Sequence, residues 1–400
     1  MRIFSGAMGT TLAMMLTMAV GSSSILAVAV SAPDSASDIG INATYVGYFT
    51  GLVYFVSMFT GSFCTGFVTR FGPIRVLQFT GIFTILGLAL FTLSSPLTAV
   101  LCALCLGVAY GPINPANAPV LLQVTHPGNR AVMFSIKQSG VTVGGAAASI
   151  LVPFAAVWWN WQAGIIAVAL LGAVSIVILQ RLNSKFTNLR TDDPFQWSLS
   201  AFISPVLQIM KIPLLRGYSM VGFTYAGVQI CVGSFFVVFL VERDFTLVEA
   251  GLCFLVVNIG GILGRVAWGG VADKLLTPST TLTLIGIVST ISIGALLFIS
   301  VDWNFFVLNL FFFILGASTH GWNGVFLSET ADRAPPGESH NWTGGVQFII
   351  YAGVAILPPV FGAMVLAISS YSIPFISIAL ASLTASLFLK WLYANHADNA

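Results

Sequence analysis

Residues 45–75 read YVGYFTGLVYFVSMFTGSFCTGFVTRFGPIR, an apolar run over 45–67 followed by a short segment that holds Arg70 and Arg75. About 20 consecutive apolar residues are needed to cross the hydrocarbon core of a bilayer as a helix. The run does not alternate apolar and polar residues as a strand of a membrane barrel does. This stretch therefore predicts a transmembrane helix followed by a short charged loop.

The same pattern recurs along all 400 residues, of which 57% are hydrophobic and only 7% are charged. Soluble chains carry about 25% charged residues, so the composition predicts an all-α membrane protein. Twelve apolar runs, numbered here as spans one to twelve, are the predicted transmembrane helices: Thr10–Val30, Tyr45–Phe67, Val76–Ser94, Ala99–Val124, Ala131–Val157, Gln162–Leu182, Tyr218–Val241, Ala250–Val271, Leu282–Ser300, Phe305–Leu327, Trp342–Ala367 and Ser372–Leu392.

The positive charges sort to one side of these spans when the gaps are numbered from the N-terminus. The cations of even gaps and their edges are Arg2, Arg70, Arg75, Arg130, Arg181, Lys185, Arg190, Lys211, Arg216, Arg265, Lys274, Arg333 and Lys390. Arg243 alone lies in an odd gap, and Lys137 lies inside span five. Since cytoplasmic loops retain Lys and Arg, we expect both termini and the even gaps in the cytoplasm of a bacterial cell, with the protein in its cytoplasmic (inner) membrane.

The two halves of the chain carry the same landmarks. Five pairs of residues keep one offset of 209: Gly107 and Gly316, Asn114 and Asn323, Pro127 and Pro336, Gly128 and Gly337, Gln138 and Gln347. A duplicated set of six spans is the architecture of a transporter whose substrate site lies near the midplane between the repeats. The predicted domains are an N-terminal six-helix bundle (1–182), a cytoplasmic central loop (183–217) and a C-terminal six-helix bundle (218–400).

The loop after span two, Gly66-Phe-Val-Thr-Arg-Phe-Gly-Pro-Ile-Arg75, is partly repeated after span eight as Gly269-Gly-Val-Ala-Asp-Lys274. It resembles the signature Gly-x-x-x-Asp-Arg-x-Gly-x-x-[Arg/Lys] of the major facilitator superfamily, and the resemblance extends over essentially the whole chain. It implies twelve transmembrane helices in two pseudo-symmetric bundles, and loop charges that form a cytoplasmic gate. The residues that it assigns to this gate are Arg70, Gly72, Arg75, Asp273 and Lys274. Thr69 replaces the acid of the first copy, so Asp273 would serve only one half of the gate.

Two departures from the family's drug/proton antiporters narrow the resemblance. Ala103 stands where those antiporters often carry an arginine in span four, and the stretch Gly140–Gly145 lacks the proline of their span-five motif. The sequence Ser-Ile-Lys-Gln-Ser-Gly at 135–140 is more similar to bacterial permeases for small anions, of the cyanate permease type.

Lys137 is the main candidate for substrate binding. It falls about 10 Å inside span five at 1.5 Å per residue, where an unpaired ammonium costs at least ~2–3 kcal/mol. Its helical neighbours Gly140 and Gly144 predict that it faces packed protein or a cavity. No Asp or Glu lies in mid-span to neutralise it, so we expect the substrate to bring the negative charge. The alternative is that the side chain snorkels to the cytoplasmic interface.

Further polar side chains recur at helical spacing within the spans and complete the predicted site. The candidate substrate-binding residues are Lys137, Gln138, Asn114, Tyr110, His320, Asn323, Gln347, Tyr351, Tyr225 and Gln229. His320 can titrate near neutral pH and is the candidate for proton coupling, with a neutral structural histidine as the alternative. Lys137 matches only Val346 in the repeat, so the N-terminal half is expected to bind the anionic head, and Asn323 and Gln347 to set the substrate's size.

Prolines are expected to interrupt two of the spans, because they remove backbone donors. The interruption is either a kink or a break whose two helices line the transport path, and both interpretations can hold. Pro112, Pro115 and Pro119 lie in span four, and the pair Pro358-Pro359 lies in span eleven. Within a membrane, the carbonyls that they free need a neighbouring helix or a ligand as partner.

The predicted function is secondary active transport of a small organic anion, a monocarboxylate or similar, by alternating access. Proton-driven uptake comes first and anion exchange second; the alternatives are efflux of a small metabolite or drug and, outside transport, a membrane sensor. HExxH, GxSxG and P-loop motifs are absent from the sequence, so we expect no enzyme, no cofactor and no metal. The expected partners are the small anion, the lipid bilayer and, as a candidate coupling ion, protons. We expect no nucleic-acid partner, and we expect the chain to act as a monomer.

The cation sorting makes a prediction about topology. In a variant whose native cysteines are replaced, Asn188→Cys should be inaccessible to an impermeant thiol reagent added outside the cell, because Asn188 lies in the cytoplasmic central loop. The matched control is Asp302→Cys in an odd gap, which should react. Labelling at position 188 and protection at position 302 would mean that the orientation is reversed.

Overall fold

The computed structural model describes residues 6–126, 130–190, 206–332 and 339–396. Within these ranges the chain is helical and contains no strand. Twelve helical segments are long and apolar enough to cross a membrane. The predicted all-α fold with twelve transmembrane helices is confirmed.

Most spans are single helices, whereas spans four, five and ten each consist of two. The helices of spans one to six are Ala7–Ile39, Val46–Phe71, Pro73–Phe91, Pro96–Tyr110 with Ile113–Val124, Arg130–Gln138 with Gly140–Trp158, and Trp161–Leu182. Those of spans seven to twelve are Pro213–Val241, Leu247–Lys274, Pro278–Ala295, Phe305–Thr319 with Trp322–Asp332, Ser339–Ile368 and Ser372–His396. The repeat landmarks Pro127, Gly128, Pro336 and Gly337 lie outside the described residues.

The starts of several spans follow from local chemistry. Span four begins with a capping box, in which Ser95 accepts from the Thr98 amide before Pro96 enters the first turn. Span eight begins with a second box, made by Thr246 and Glu249. Such boxes satisfy amides that have no partner inside the helix. Span seven starts at Pro213, five residues before the predicted start, because a proline fits the first turn of a helix.

Contacts divide the chain into two units. The first holds Met1–Ala43 and Leu52–Ser198, and the second holds Thr44–Gly51 and Leu199–Ala400. In the first unit, span one packs on span five and span three on span six. In the second unit, span seven packs on span eleven and span nine on span twelve. The same pairing scheme therefore holds the main helices of each unit, as expected for a repeat.

Glycines set the closest helix contacts. A Cβ at Gly140 would meet the Met15 carbonyl and one at Gly144 the Ala19 carbonyl, both on span one. In the second unit, a Cβ at Gly264 would lie 2.6 Å from the Cα of Ala317, and Gly316 faces the Val257 carbonyl. Small residues of this kind let membrane helices approach closely.

Arg243, the one cation of an odd gap, has a structural role. Its guanidinium donates to the carbonyls of Ile299 (3.1 Å) and Leu297 (3.2 Å) at the end of span nine. It also lies 5.0 Å from the centre of the Phe239 ring. The residue therefore caps a neighbouring helix, which explains why this loop keeps a positive charge.

We predict that Gly316→Ala destabilises the protein by about 1–3 kcal/mol, the usual cost of overpacking, because the new methyl would overlap the Val257 carbonyl. The control is Gly294→Ala, where nothing lies within 4 Å of the added atom. Thermal unfolding of the purified protein in detergent measures both. Equal stability of the two variants would show that spans eight and ten are not in close contact.

Candidate functional site

Spans four and ten break at equivalent positions of the repeat. The first helix of span four ends at Tyr110 and the second begins at Ile113, with Gly111 and Pro112 between them. The corresponding helices of span ten end at Thr319 and begin at Trp322. Both pairs of positions differ by the offset of 209, which was found in the sequence. The break is therefore a property of the repeated unit.

Each break receives hydrogen-bond donors from a neighbouring span. In the first unit, the hydroxyls of Ser57 and Thr60 of span two lie 3.2 and 3.0 Å from the Gly107 carbonyl, which they share with the Gly111 amide, and each can also donate to a carbonyl of its own helix. In the second unit, the Trp268 indole of span eight donates to the Ala317 carbonyl at 3.0 Å. Because lipid offers no hydrogen bonds, such side chains are what makes a broken helix tolerable inside a membrane.

Of the two spans that prolines are expected to interrupt, only span four is broken at a proline. Pro112 lies at the break of span four, whereas Pro119 lies inside the helix Ile113–Val124. Pro358 and Pro359 lie inside Ser339–Ile368, which continues past them. Of the two interpretations, a broken helix therefore does not apply to span eleven, since a membrane helix accommodates proline when its surroundings satisfy the freed groups.

Lys137 lies beside the break of span four. Only 6% of its surface is exposed, and its Nζ donates to the Asn114 Oδ1 at 2.6 Å. The ammonium also lies 5.9 Å from the centre of the Phe134 ring, one turn earlier, a separation typical of a cation–π contact. The side chain thus extends sideways to span four and does not run along its helix to the interface.

The other candidates of the first unit have different surroundings. Tyr110 is buried, and its ring meets the Tyr54 ring edge-on at 5.4 Å. Gln138 is half-buried next to Lys137. Asn117, one turn beyond Asn114, bonds to Thr17 and to the Met14 carbonyl. Asn117 therefore joins spans one and four and has the bonding of a structural residue.

Gln229 is the centre of a buried cluster in the second unit. Its Oε1 accepts from the Trp322 indole at 2.9 Å and from the Asn323 amide at 3.0 Å. Tyr225, one turn away, directs its hydroxyl to the Leu282 carbonyl and to Ser386. Tyr225 and Gln229, one turn apart on span seven, therefore both bond to other spans of the second unit.

His320 occupies the break of span ten and is buried. Its Nδ1 lies 2.9 Å from the Thr319 hydroxyl, and which of the two donates depends on the tautomer of the ring. The same hydroxyl lies 2.7 Å from the Leu315 carbonyl, to which it can donate. The Arg265 Nε donates to the His320 carbonyl at 3.0 Å.

The remaining candidates lie on span eleven and at the predicted cytoplasmic gate. Gln347 and Tyr351 are half-buried on one helix. Arg70, Arg75 and Lys274 are exposed, and the side chain of Asp273 lies outside the description. Gly72 has a φ of +88° and the Arg190 side chain packs against it, which favours glycine at this position. Their roles in gating and binding stay predictions.

Sequence reasoning missed Arg265 and Trp268. Arg265 was assigned to the cytoplasmic edge of span eight, within the predicted bounds Ala250–Val271, and the structure places it inside the helix Leu247–Lys274, where it bonds to the break of span ten. A signal existed, because Arg265 comes six residues before the predicted end of span eight at Val271. The donor role of Trp268 had no sequence signal, because it depends on which face of span eight meets span ten.

We predict that Gln229→Leu costs about 1–2 kcal/mol of stability, because it leaves the Trp322 and Asn323 donors buried without an acceptor. Gln229→Glu keeps an acceptor for both and should cost less. Thermal unfolding in detergent compares the two variants. If Gln229→Leu is as stable as the unsubstituted protein, the cluster does not hold spans seven and ten together.

Comparison with known proteins agrees with this architecture. The family model described as Major Facilitator Superfamily matches residues 12–358. A mutant of the peptide transporter POT, solved in complex with sulfate, is 15% identical with a TM-score of 0.73, over 96% of this chain and 94% of that one. A mutant of the nucleoside transporter NupG is 12% identical with a TM-score of 0.76, over 96% of this chain and 100% of that one.

No curated protein matches the chain significantly. The similarity to cyanate permeases therefore stays a prediction. The family match over most of the chain and the twelve apolar helices decide the class of protein. The chain belongs to the major facilitator superfamily and is a multi-pass membrane transporter, not an enzyme.

Proposed function

We propose that this transporter moves a small organic anion across the bacterial inner membrane by alternating access, with Lys137 as its anion-binding group. One observation carries the proposal: Lys137 is buried at membrane depth and its ammonium bonds to the neutral amide oxygen of Asn114. Among the residues that the structure describes, Asn114 is its only hydrogen-bond partner.

The charge of Lys137 favours an anionic substrate. A buried ammonium is costly unless a negative charge or several dipoles face it. Asn114 supplies one dipole and Phe134 a ring face, which leaves two of the three ammonium donors for a ligand. A carboxylate that bonds to this ammonium would supply the missing negative charge, whereas a neutral solute would not.

The break in span four supports the same role. It places Asn114 two residues after Pro112, at the start of the second helix, where the amide can reach across to span five. A helix that is interrupted at membrane depth is the usual place for a ligand site in secondary transporters. The anion contact and the break are therefore two parts of one arrangement.

The coupling mechanism is proposed in two forms, proton-driven uptake and exchange against another anion. His320 is the candidate proton carrier for the first form. Uptake into proteoliposomes with a pH gradient, compared with uptake driven by a trapped anion, separates the two forms.

We predict that Lys137→Ala and Lys137→Met abolish uptake of radiolabelled carboxylates into proteoliposomes, because both remove the positive charge. Lys137→Met keeps much of the volume and should keep the thermal stability. Lys137→Arg should retain little activity, because a planar guanidinium does not replace a point charge in a confined space.

The control is Asn117→Ala, which removes a buried amide from the same span without changing any charge. It should lower stability more than it lowers uptake. Normal carboxylate uptake by Lys137→Met would refute the proposed function, and so would uptake of neutral analogues by the unsubstituted protein at the same rate.

A further inference from the structure

One end of the first unit concentrates positive charge without carboxylates to offset it. Between Ile39 and Asp192 the sequence contains no Asp or Glu. In the described part of this unit the acids are Asp34 and Asp38, on the last turns of span one and thus at the opposite end. Asp192 and Asp193 lie outside the described residues. The exposed or half-buried cations where span two ends, span three begins and span six ends are Arg70, Arg75, Arg181, Lys185 and Arg190.

Membrane topology does not by itself require this imbalance. Lys and Arg in short loops set the orientation of the spans, and Asp and Glu contribute little to that effect. The second half of the chain carries acids at the corresponding end of its spans, namely Asp273, Glu329 and Asp332. The long stretch without acids is therefore particular to the first half.

Spans three and six bring two of the cations to one surface. The two helices pack on each other, and near their charged ends the Gln78 Nε2 of span three donates to the Gln180 Oε1 of span six at 2.8 Å. Arg75 lies one turn before Gln78, and Arg181 directly follows Gln180. Both arginines are exposed, so their guanidinium groups are open to a ligand on this side of the unit.

A short 3₁₀ helix, Asn183–Leu189, adds a third cation. It follows span six directly and packs on spans three and six. Phe186 is buried and anchors it to the unit. Lys185, four residues after Arg181, is exposed. The anchored segment therefore holds the lysine next to the end of span six.

The same two spans present exposed apolar stripes that lead to the arginines. The stripe of span three is 47–53% exposed and consists of Phe79, Ile82 and Leu86, and that of span six is 51–60% exposed and consists of Ile166, Leu170, Val174 and Val177. Arg75 comes four residues before the first stripe and Arg181 four residues after the second, spacings that share a helix face. The stripe of span six is about 16 Å long at 1.5 Å per residue, about half of a hydrocarbon core of ~30 Å.

We propose that this surface binds an anionic phospholipid of the surrounding bilayer, with its phosphate on Arg75, Arg181 and Lys185 and its acyl chains along the two stripes. Clusters of Lys and Arg at the membrane ends of spans recognise anionic lipid headgroups, and the guanidinium fork matches the geometry of a phosphate. The stripes favour a lipid over a soluble phosphate, because only the lipid has chains that cover them. The inference does not depend on which solute is transported.

The experiment measures lipid binding to the purified protein in detergent by native mass spectrometry. The anionic probe is phosphatidylglycerol, and the zwitterionic probe is phosphatidylcholine with the same acyl chains. The unsubstituted protein should bind phosphatidylglycerol at least about tenfold more tightly. In the triple variant Arg75→Gln/Arg181→Gln/Lys185→Gln this preference should fall below about threefold, because the stripes remain and the positive charges are lost.

The matched control is the triple variant Lys211→Gln/Arg216→Gln/Lys390→Gln. It removes three exposed cations that belong to even gaps or their edges in the second unit, and it has the same net charge as the first variant. It should keep the preference for phosphatidylglycerol. Thermal unfolding without added lipid should show that both variants are folded, since all six side chains are exposed.

Two results on the variants would overturn the proposal. One is a preference that survives in the Arg75/Arg181/Lys185 variant, and the other is an equal loss of preference in both triple variants, which would mean that net charge alone attracts the lipid. Glycerol 3-phosphate carries a phosphate without acyl chains and should not displace phosphatidylglycerol at equal concentration. Displacement would identify a soluble phosphate as the ligand and contradict the lipid site.

Discussion

The hydrocarbon interior of a membrane has no water to satisfy an unpaired peptide carbonyl, and this constraint organises both units. Each unit contains one span that is broken at the same repeat position. Side chains of the neighbouring span then donate to carbonyls at or near the break, as Thr60 does in the first unit and Trp268 in the second.

The donors differ between the units although the breaks do not. Hydroxyl groups serve span four, while an indole and a guanidinium serve span ten. Duplication thus accounts for the shared backbone, and later divergence of side chains for the different chemistry. Lys137, which lies beside the break of span four, is costly inside a bilayer, and this cost is the physical reason for proposing it as the group that recognises negative charge.

Much of the fold could be predicted from the sequence, because the length and hydropathy of a span are local properties. The break in span four was also predictable, since Pro112 removes a backbone donor. The break in span ten has no proline, and only its repeat relation to span four points to it. Pro358 and Pro359 mark the opposite case, in which proline is present and the helix continues.

The site was predictable in its residue types but not in its partners. The sequence identified Lys137 and Asn114 as polar residues inside spans, but their mutual hydrogen bond depends on how spans four and five pack. The same holds for Gln229 and Asn323. Arg265 was correctly included in span eight, but its bond to the His320 carbonyl depends on how spans eight and ten pack, which hydropathy alone does not give.

The central claim is that negative charge on the solute determines recognition by this transporter. It is tested most directly by binding of one series of equal size, succinamide, succinamate and succinate, to the unsubstituted protein, measured by calorimetry in detergent. The account predicts that succinamate and succinate both bind at least tenfold more tightly than the neutral diamide. Equal affinity across the series, or tightest binding of the neutral diamide, would contradict it.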